Sequence, residues 1–200
     1  MKKLIIAIFM LACVQEVAAQ RAGGFRFQMD LGAAIPKDGG IGALVNLEPQ
    51  ILVKSNLAFG IRFGVAGLAK EVVYFNDPEE YEGEIGGNAS IVGTLNYYFN
   101  KGNSRVAPYI GAGFGYYGFS NLDIDSSDVP EELGDLEADF AWAPMLRAGV
   151  ELGKFRLGAE YNFVPSSDLQ NISGTIIGTA VNEYFGFTLG FFLGGGKWGK

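Results

Sequence analysis

The sequence predicts an all-β fold, an eight-stranded antiparallel up-and-down transmembrane β-barrel that is preceded by a cleavable signal peptide. Three observations predict this fold. Apolar and polar residues alternate with a period of two in nearly every segment after residue 20, which is the signature of β-strands. The connections between these segments alternate between short and long. Glycine is abundant, with 30 residues, and only 18% of the residues are charged, which suits a curved sheet that does not meet water on both faces.

The first 19 residues have the features of a secretory signal peptide. Lys2 and Lys3 form a basic start, residues 4–12 are apolar, and residues 17–19 form a small-residue cleavage site. The apolar stretch is too short to cross a bilayer as a helix. We therefore expect residues 1–19 to be removed by cleavage and the remaining chain to be exported.

The mature chain is expected to contain one domain. Residues 20–193 are predicted to form the barrel, and residues 194–200 a short periplasmic tail. An alternative at the amino terminus is that residues 10–13, Met-Leu-Ala-Cys, form a lipoprotein box in which Cys13 becomes the acylated first residue. Neither case leaves a disulfide, because Cys13 is the only cysteine.

The first four predicted strands each have one apolar and one polar face. Arg26, Gln28 and Asp30 form the polar face of the first strand, and Asn46, Glu48 and Gln50 that of the second. Because successive side chains of a strand point to opposite sides, the apolar residues share the other face. They are Phe25, Phe27, Met29 and Leu31 in the first strand; Ala43, Val45, Leu47, Ile51 and Val53 in the second; Leu57, Phe59, Ile61, Phe63 and Val65 in the third; and Ile85, Ala89, Ile91, Leu95, Tyr97 and Phe99 in the fourth.

The last four predicted strands follow the same pattern. Their polar faces carry glycines, Tyr109, Arg147, Glu151, Arg156 and Glu160. Eight strands are an even number, as a closed bacterial barrel requires. The apolar faces are Val106, Ile110, Ala112, Phe114 and Tyr116; Phe140, Trp142, Leu146, Ala148, Val150 and Leu152; Phe155, Leu157, Ala159, Tyr161 and Phe163; and Phe185, Phe187, Leu189 and Phe191.

The connections between the strands predict the orientation of the barrel. Short links lie at residues 54–56, 100–105 and 153–154, whereas long links lie at 69–83, 121–138 and 165–180, with a modest member of the long set at 36–40. Outer-membrane barrels have short periplasmic turns and long external loops. Both termini are therefore expected in the periplasm.

The composition of the polar face indicates which face is inside. A water-soluble barrel has the same alternation with its faces inverted, so periodicity alone does not decide. Here the polar face holds mostly small residues and a few isolated charges, which suit the narrow interior of an eight-stranded barrel. Buried charges must pair, so a structural network inside the lumen is expected, comprising Arg26, Asp30, Glu48, Arg62, Glu84, Arg147, Glu151, Arg156, Glu160 and Glu183.

Aromatic residues on the apolar face lie toward strand ends, which is typical of the interfacial girdles of membrane barrels. Tyr97 and Phe99 lie beside a short link, and Phe140 and Trp142 beside a long one. With the signal peptide and the asymmetric links, these residues predict an integral protein of the bacterial outer membrane, surrounded by lipid and lipopolysaccharide.

The chain resembles the small outer-membrane β-barrel family, the group that includes the transmembrane domain of outer-membrane protein A. The resemblance is carried by residues 107–116 (APYIGAGFGY) and 184–191 (YFGFTLGF), and it extends over residues 23–193. It implies insertion by the outer-membrane assembly machinery, which recognises the last strand. Members of the family often end in an aromatic residue, whereas this chain continues to Lys200, with Trp198 near its end.

No residue pattern in the chain points to catalysis. The chain contains no histidine, the residue that most often acts as general base. Its lysines lie mainly in turns, links and the tail, and its lumen carboxylates have arginines nearby. We therefore expect no enzymatic activity and no cofactor. A net charge of -7 argues against nucleic acid as a partner, because that role requires a basic surface.

One acidic link has the spacing of a calcium loop. Asn121, Asp123, Asp125 and Glu132 stand at relative positions 1, 3, 5 and 12. Ser126 occupies the position where such a loop requires glycine for its turn, and no helices flank it. A solvated acidic loop is the simpler interpretation, so no specific metal site is predicted, with loose bridging of divalent cations to lipopolysaccharide as the alternative.

The expected role is structural or interactive, with the long acidic links presented outward to an extracellular ligand. Binding residues often lie on loops that a rigid scaffold holds in place. The alternative is a narrow porin-like conduit for small or hydrophobic solutes, which would require an interior that opens. An eight-stranded barrel leaves room only for its own side chains, so a plugged lumen is predicted.

Overall fold

Ten β-strands form in the described part of the chain. The computed structural model describes residues 22–37, 39–74, 82–100, 104–122, 139–170, 176–196 and 198. No helix within these residues is long and apolar enough to cross a membrane. The strands are β1 (Phe25–Pro36), β2 (Gly42–Lys54), β3 (Leu57–Tyr74), β4 (Glu82–Tyr98), β5 (Val106–Leu122), β6 (Asp139–Leu152), β7 (Phe155–Asn162), β8 (Ser167–Gln170), β9 (Ile176–Ala180) and β10 (Tyr184–Gly194).

Eight of these strands close into an antiparallel barrel, which confirms the predicted fold class. Strands β1 to β6 each pair with the next strand in the chain, and β10 pairs with both β7 and β1. The closing pair runs from Arg26 opposite Gly194 to Pro36 opposite Tyr184. Each of these eight strands therefore has a partner strand on both sides, so the backbone polar groups of the paired stretches are satisfied within the wall.

The two ends of the barrel differ. At one end β1 begins, β10 ends, and the turns at residues 55–56 and 153–154 are short; we call this the terminal end, and the opposite end the loop end. Gly153 has a φ of +66°, and among the residues that the structure describes no non-glycine residue has a positive φ. The turn between β6 and β7 therefore has glycine at its first central position, as a type II′ turn requires.

The long links contain more strand than the sequence predicts. Pairing of β3 with β4 continues to Val72 opposite Glu82, which shortens the link predicted at 69–83. The link predicted at 165–180 contains the β8–β9 hairpin, and β9 adds to the end of β3 through Val72–Tyr74. The backbone N–H and C=O groups of these segments thus form hydrogen bonds with one another. The segments lack an uninterrupted apolar alternation, so the sequence pattern did not predict them as strands.

The apolar face points away from the barrel axis, as predicted. Leu31, Trp142 and Leu189 are 64%, 63% and 61% exposed, whereas Arg26 and Arg62 are fully buried. An exposed apolar band combined with a charged interior is the arrangement of a transmembrane barrel and the reverse of a water-soluble one.

Interior glycines allow the wall to curve closely around its filling. A methyl group added to Gly115 would run into the carbonyl oxygen of Ile91 and would lie 2.5 Å from Cα of Val92. Since the obstacle is backbone, it does not move aside easily. Gly93, on the neighbouring strand, is a matched contrast, because the nearest atom to an added methyl there is a carbonyl oxygen at 3.7 Å.

The variant Gly115→Ala should therefore lose about 1–3 kcal/mol of unfolding free energy, the usual cost of overpacking. Gly93→Ala should stay within about 0.5 kcal/mol of the wild type, as ordinary surface substitutions do. Urea unfolding in lipid vesicles, followed on gels by the mobility difference between folded and unfolded barrels, measures both values. Equal losses in the two variants would contradict the clash.

Candidate functional site in the barrel interior

Charged and polar side chains fill the middle of the barrel. Four arginines and four carboxylates are buried among the described residues, so the layer has no net formal charge when all eight are ionised. The alternation of the strands places each of them inward. They are Arg26, Arg62, Arg147 and Arg156, with Asp30, Glu48, Glu151 and Glu160.

Two of the ion pairs span the diameter of the barrel. Arg62 Nη1 lies 2.6 Å from Oε1 of Glu160, and Arg147 lies 2.6 and 2.7 Å from the two oxygens of Glu48. In the ring of eight strands, β3 lies opposite β7 and β2 opposite β6, since four steps separate them in either direction. These pairs therefore cross the bore rather than lie along the wall.

Polar neighbours hold these two pairs in place. Arg62 Nη2 donates to Asn162 Oδ1 at 3.0 Å and to the hydroxyl of Tyr117 at 3.2 Å, and Arg147 Nε donates to Asn96 Oδ1 at 2.7 Å. The side chain of Thr94 donates to Glu48. Extra hydrogen bonds of this kind are what a buried ion pair needs if it is to offset its desolvation.

A third pair lies nearer the terminal end. Arg26 donates through Nη1 and Nη2 to the two oxygens of Glu151, at 3.1 and 3.0 Å. Its guanidinium also lies 4.8 Å from the ring centre of Tyr98 and 4.7 Å from that of Phe192. Arg156 approaches Glu151 at 3.5 Å, so one carboxylate serves two arginines.

Asp30 is held differently from the other three buried carboxylates. Its side chain accepts a hydrogen bond from Gln28, and its Oδ1 has no protein partner. Arg156, which is level with Asp30 across Gly190 of β10, instead donates to Gln28 Oε1 at 2.6 Å. Asp30 thus joins the network through Gln28 and not through a direct arginine contact.

Two members of the predicted network, Glu84 and Glu183, are not among the buried charges of the described residues. Glu84 lies in β4, but its side chain is outside the described residues. Placing Glu183 in the network was wrong. Glu183 precedes β10 at the loop end, and its side chain is 30% exposed. Its carboxylate accepts a hydrogen bond of 2.7 Å from the hydroxyl of Tyr161 and forms an ion pair with Lys37 at 3.5 Å. The Tyr161 hydrogen bond lowers the pKa of this carboxyl group. Glu183 precedes the first residue of β10, where the alternation of a strand no longer indicates which side a residue faces, and this is why its predicted position was wrong.

Apolar clusters cover the ionic layer on both sides. Tyr117 and Tyr184 belong to the cluster toward the loop end, together with Leu44, Leu68 and Phe119. The cluster at the terminal end contains Leu52, Ala58, Tyr98, Ala107, Tyr109, Phe192 and Trp198. The charges are thereby separated from water at both ends, which strengthens every pair between them.

Trp198 is an interior residue that sequence reasoning missed. It was assigned to a periplasmic tail, yet its side chain is only 2% exposed and its Nε1 donates to Oε2 of Glu151 at 2.5 Å. The available signal was a large aromatic residue in a short glycine-rich tail. Tryptophan side chains are mostly buried in folded proteins, so one in a solvent-exposed tail is unexpected.

The proposed calcium ligands lie mostly beyond the described residues. Asn121 is in β5 without a described side chain, while Asp123, Asp125 and Glu132 fall in the undescribed stretch 123–138. In the part of the chain that the structure does describe, no three His, Cys, Asp or Glu residues are grouped so as to hold a metal ion.

Aromatic side chains form belts on the outer surface near both ends. At the terminal end, the rings of Tyr97 and Phe99 meet edge to face with centres 5.0 Å apart. Toward the loop end, Tyr116 stacks on Phe140 at 5.3 Å and Phe114 on Trp142 at 5.7 Å. Belts of this kind lie at the two water interfaces of a bilayer.

Comparison with known proteins supports this architecture. The family model described as "Outer membrane protein beta-barrel domain" matches residues 4–185. The chain is also similar to "Outer membrane protein W" of Vibrio cholerae serotype O1, with 25% identity over 168 residues, covering 76% of this chain and 77% of that protein.

Two solved structures have a similar fold. The crystal structure of Neisserial surface protein A gives a TM-score of 0.57 with 15% identity, covering 86% of this chain and 98% of that one. The outer membrane protein OprG of Pseudomonas aeruginosa gives 0.55 with 12% identity, covering 88% and 99%. At such identities the likeness concerns the fold alone. With the family model matching most of its length, the chain belongs to the outer-membrane β-barrel protein family and resides in the bacterial outer membrane.

Proposed function

We propose that this protein has a structural or surface-interaction role in the outer membrane, with a closed interior. Its wall is anchored in lipid by the apolar band and the aromatic belts. Its long acidic links face outward, where lipopolysaccharide and an extracellular ligand are the partners in reach. During biogenesis the assembly machinery is a further partner, since β10 closes the barrel.

The observation that carries this proposal is the pair of diametric bridges. Arg62–Glu160 and Arg147–Glu48 each cross the bore at 2.6 Å, and all four side chains are buried. A solute could pass only if both bridges broke. Leaving one charge of such a pair buried and alone costs about 3–5 kcal/mol, so an open state would be rare.

The experiment that tests closure is a conductance measurement in planar bilayers. Wild-type barrel, verified as folded by its heat-dependent gel mobility, should give no steady current steps. A known open porin added afterwards to the same bilayer shows that the membrane reports channels. Steady unitary steps from the wild type would refute the closed interior.

A second candidate is a narrow conduit for small or hydrophobic solutes, and one observation favours it. Several buried polar atoms have no protein partner, among them Asp30 Oδ1, Asn46 Oδ1, both amide atoms of Asn88 and Arg156 Nε. Buried polar groups of this kind bind water, and a hydrated interior is the starting point of a conduit. The conductance experiment separates the two candidates.

We also propose that the protein is not an enzyme. The absence of histidine from the chain removes the commonest general base. Of the four buried carboxylates described, Glu48, Glu151 and Glu160 are engaged by arginines. Expression in a host with defined lipid A should leave that lipid unchanged in mass spectra, and a new lipid A species would contradict the proposal.

A further inference from the structure

Trp198 sits in the terminal end of the barrel in the way a bound ligand would. Its ring centre lies 5.1 Å from that of Tyr98, at an angle of 43°, and its N–H is donated to Oε2 of Glu151. An indole offers two means of recognition, its aromatic face and its single N–H donor. The barrel uses both.

The pocket around this indole is built from the wall of the barrel. Leu52, Ala58, Ala107 and Phe192 belong to the same apolar cluster. Glu151 supplies a fixed acceptor, because Nη1 and Nη2 of Arg26 both donate hydrogen bonds to its carboxylate. Apolar walls with one or two oriented polar groups are the usual composition of a small-molecule site.

The connection between the wall and Trp198 is a glycine hinge. Gly194, Gly195 and Gly196 have φ values of +75°, +64° and +75°. Glycine loses more conformational freedom on ordering than any other residue. Gly194 stays in the wall as the last residue of β10. The burial of one indole is therefore opposed by the ordering of Gly195 and Gly196, which makes the docked tail easy to release.

The wall keeps its own support when the tail leaves. Lys154 Nζ donates to the carbonyl oxygen of Gly194 at 3.0 Å and lies 5.1 Å from the ring centre of Phe192. The end of β10 is thus fixed by contacts that do not involve Trp198. Release would empty the pocket without opening the barrel wall.

We propose that this pocket is a binding site for small planar aromatic solutes that carry an N–H donor, with indole as the simplest example. Trp198 is its built-in occupant, which such a solute displaces from the terminal end. The site lies at the mouth of the barrel, so this inference is independent of whether the bore beyond it is closed or conducting.

The presence of only two tryptophans makes a direct test available. With 5-fluorotryptophan incorporated, the folded barrel should give two ¹⁹F resonances, and the variant Trp198→Phe identifies that of Trp198. Trp142, which is 63% exposed on the outer face, is the internal control. Titration with indole should move the Trp198 resonance to the position of a solvent-exposed tryptophan and leave Trp142 where it is.

The control ligand is 1-methylindole, which has the same ring and enters lipid at least as readily but lacks the N–H. Because 1-methylindole cannot donate to Glu151, it should displace Trp198 only at a concentration at least about tenfold higher than indole requires.

The variant Trp198→Ala tests the pocket without its occupant. In this variant 5-fluoroindole should bind more tightly than to the wild type, and unlabelled indole should compete with it.

Three outcomes would overturn the inference. A Trp198 resonance that stays unchanged up to the solubility limit of indole would make the tail a permanent plug. Equal displacement by indole and 1-methylindole would show that the solutes act by partitioning into lipid and not through Glu151. Failure of 5-fluoroindole to bind Trp198→Ala would show that the cavity is not a site.

Discussion

Replacing Arg147 with alanine should lower the unfolding free energy of the barrel by about 3–5 kcal/mol, the cost of leaving a buried carboxylate without its partner. Arg147 contacts both oxygens of Glu48, at 2.6 and 2.7 Å, and neither side chain has more than 3% exposure. Without the guanidinium, Glu48 keeps only neutral donors, from Thr94 and Gln50. Urea unfolding in lipid vesicles measures the loss.

Two control variants make this result specific. Arg105→Ala removes an arginine that is exposed between β4 and β5, and it should change stability by less than about 0.5 kcal/mol. The double variant Arg147→Met with Glu48→Met removes both charges and should recover most of the loss, since apolar replacements of whole buried pairs are often neutral. If the double variant is as unstable as Arg147→Ala, packing and not charge carries the effect.

The second large effect is expected on the outer face. Leu189 is 61% exposed in the middle of β10, where it lies between Leu31 and Leu157. Leu189→Arg should cost about 2–4 kcal/mol, because an arginine at the bilayer midplane must leave water. The measurement is the urea midpoint of refolded barrel in vesicles, with the mobility shift as readout.

A position at the end of a strand gives the matched comparison. Val53 is 54% exposed and lies next to the turn at residues 55–56. Val53→Arg should cost only about 0–1 kcal/mol, since the guanidinium reaches the water interface. A loss at Val53 as large as that at Leu189 would show that strand packing and not membrane depth sets the penalty.

The strands and their faces were predictable from local patterns. A period of two fixes which side chains share a face, and glycines with isolated charges indicate that this face is enclosed. Every predicted strand was found, from the one beginning at Phe25 to the one ending at Gly194. The extension of β3 to Tyr74 and the β8–β9 hairpin were not predicted, because strands beyond the lipid no longer need an apolar face.

The membership of the interior network was predictable, but its pairing was not. All eight charged residues that are buried in the described part of the chain belong to the set that alternation predicted. Alternation gave no reason, however, to join Arg62 with Glu160, 98 positions apart. That pairing depends on which strands face each other across a closed ring. The prediction for Glu183 was wrong for a different reason, since this residue lies outside a strand and alternation there does not indicate which side a residue faces.

By itself, then, the sequence determined the strands and the direction in which each side chain points, because both follow from the period of two. It also determined that the barrel lies in lipid, because the composition of each face fixes whether that face is compatible with lipid or with the barrel interior. Tertiary structure alone decided the diametric ion pairs, the isolation of Asp30 from arginine and the return of Trp198 to Glu151. These contacts join residues that are distant in the chain, and only closure of the barrel at a fixed register brings them within bonding distance.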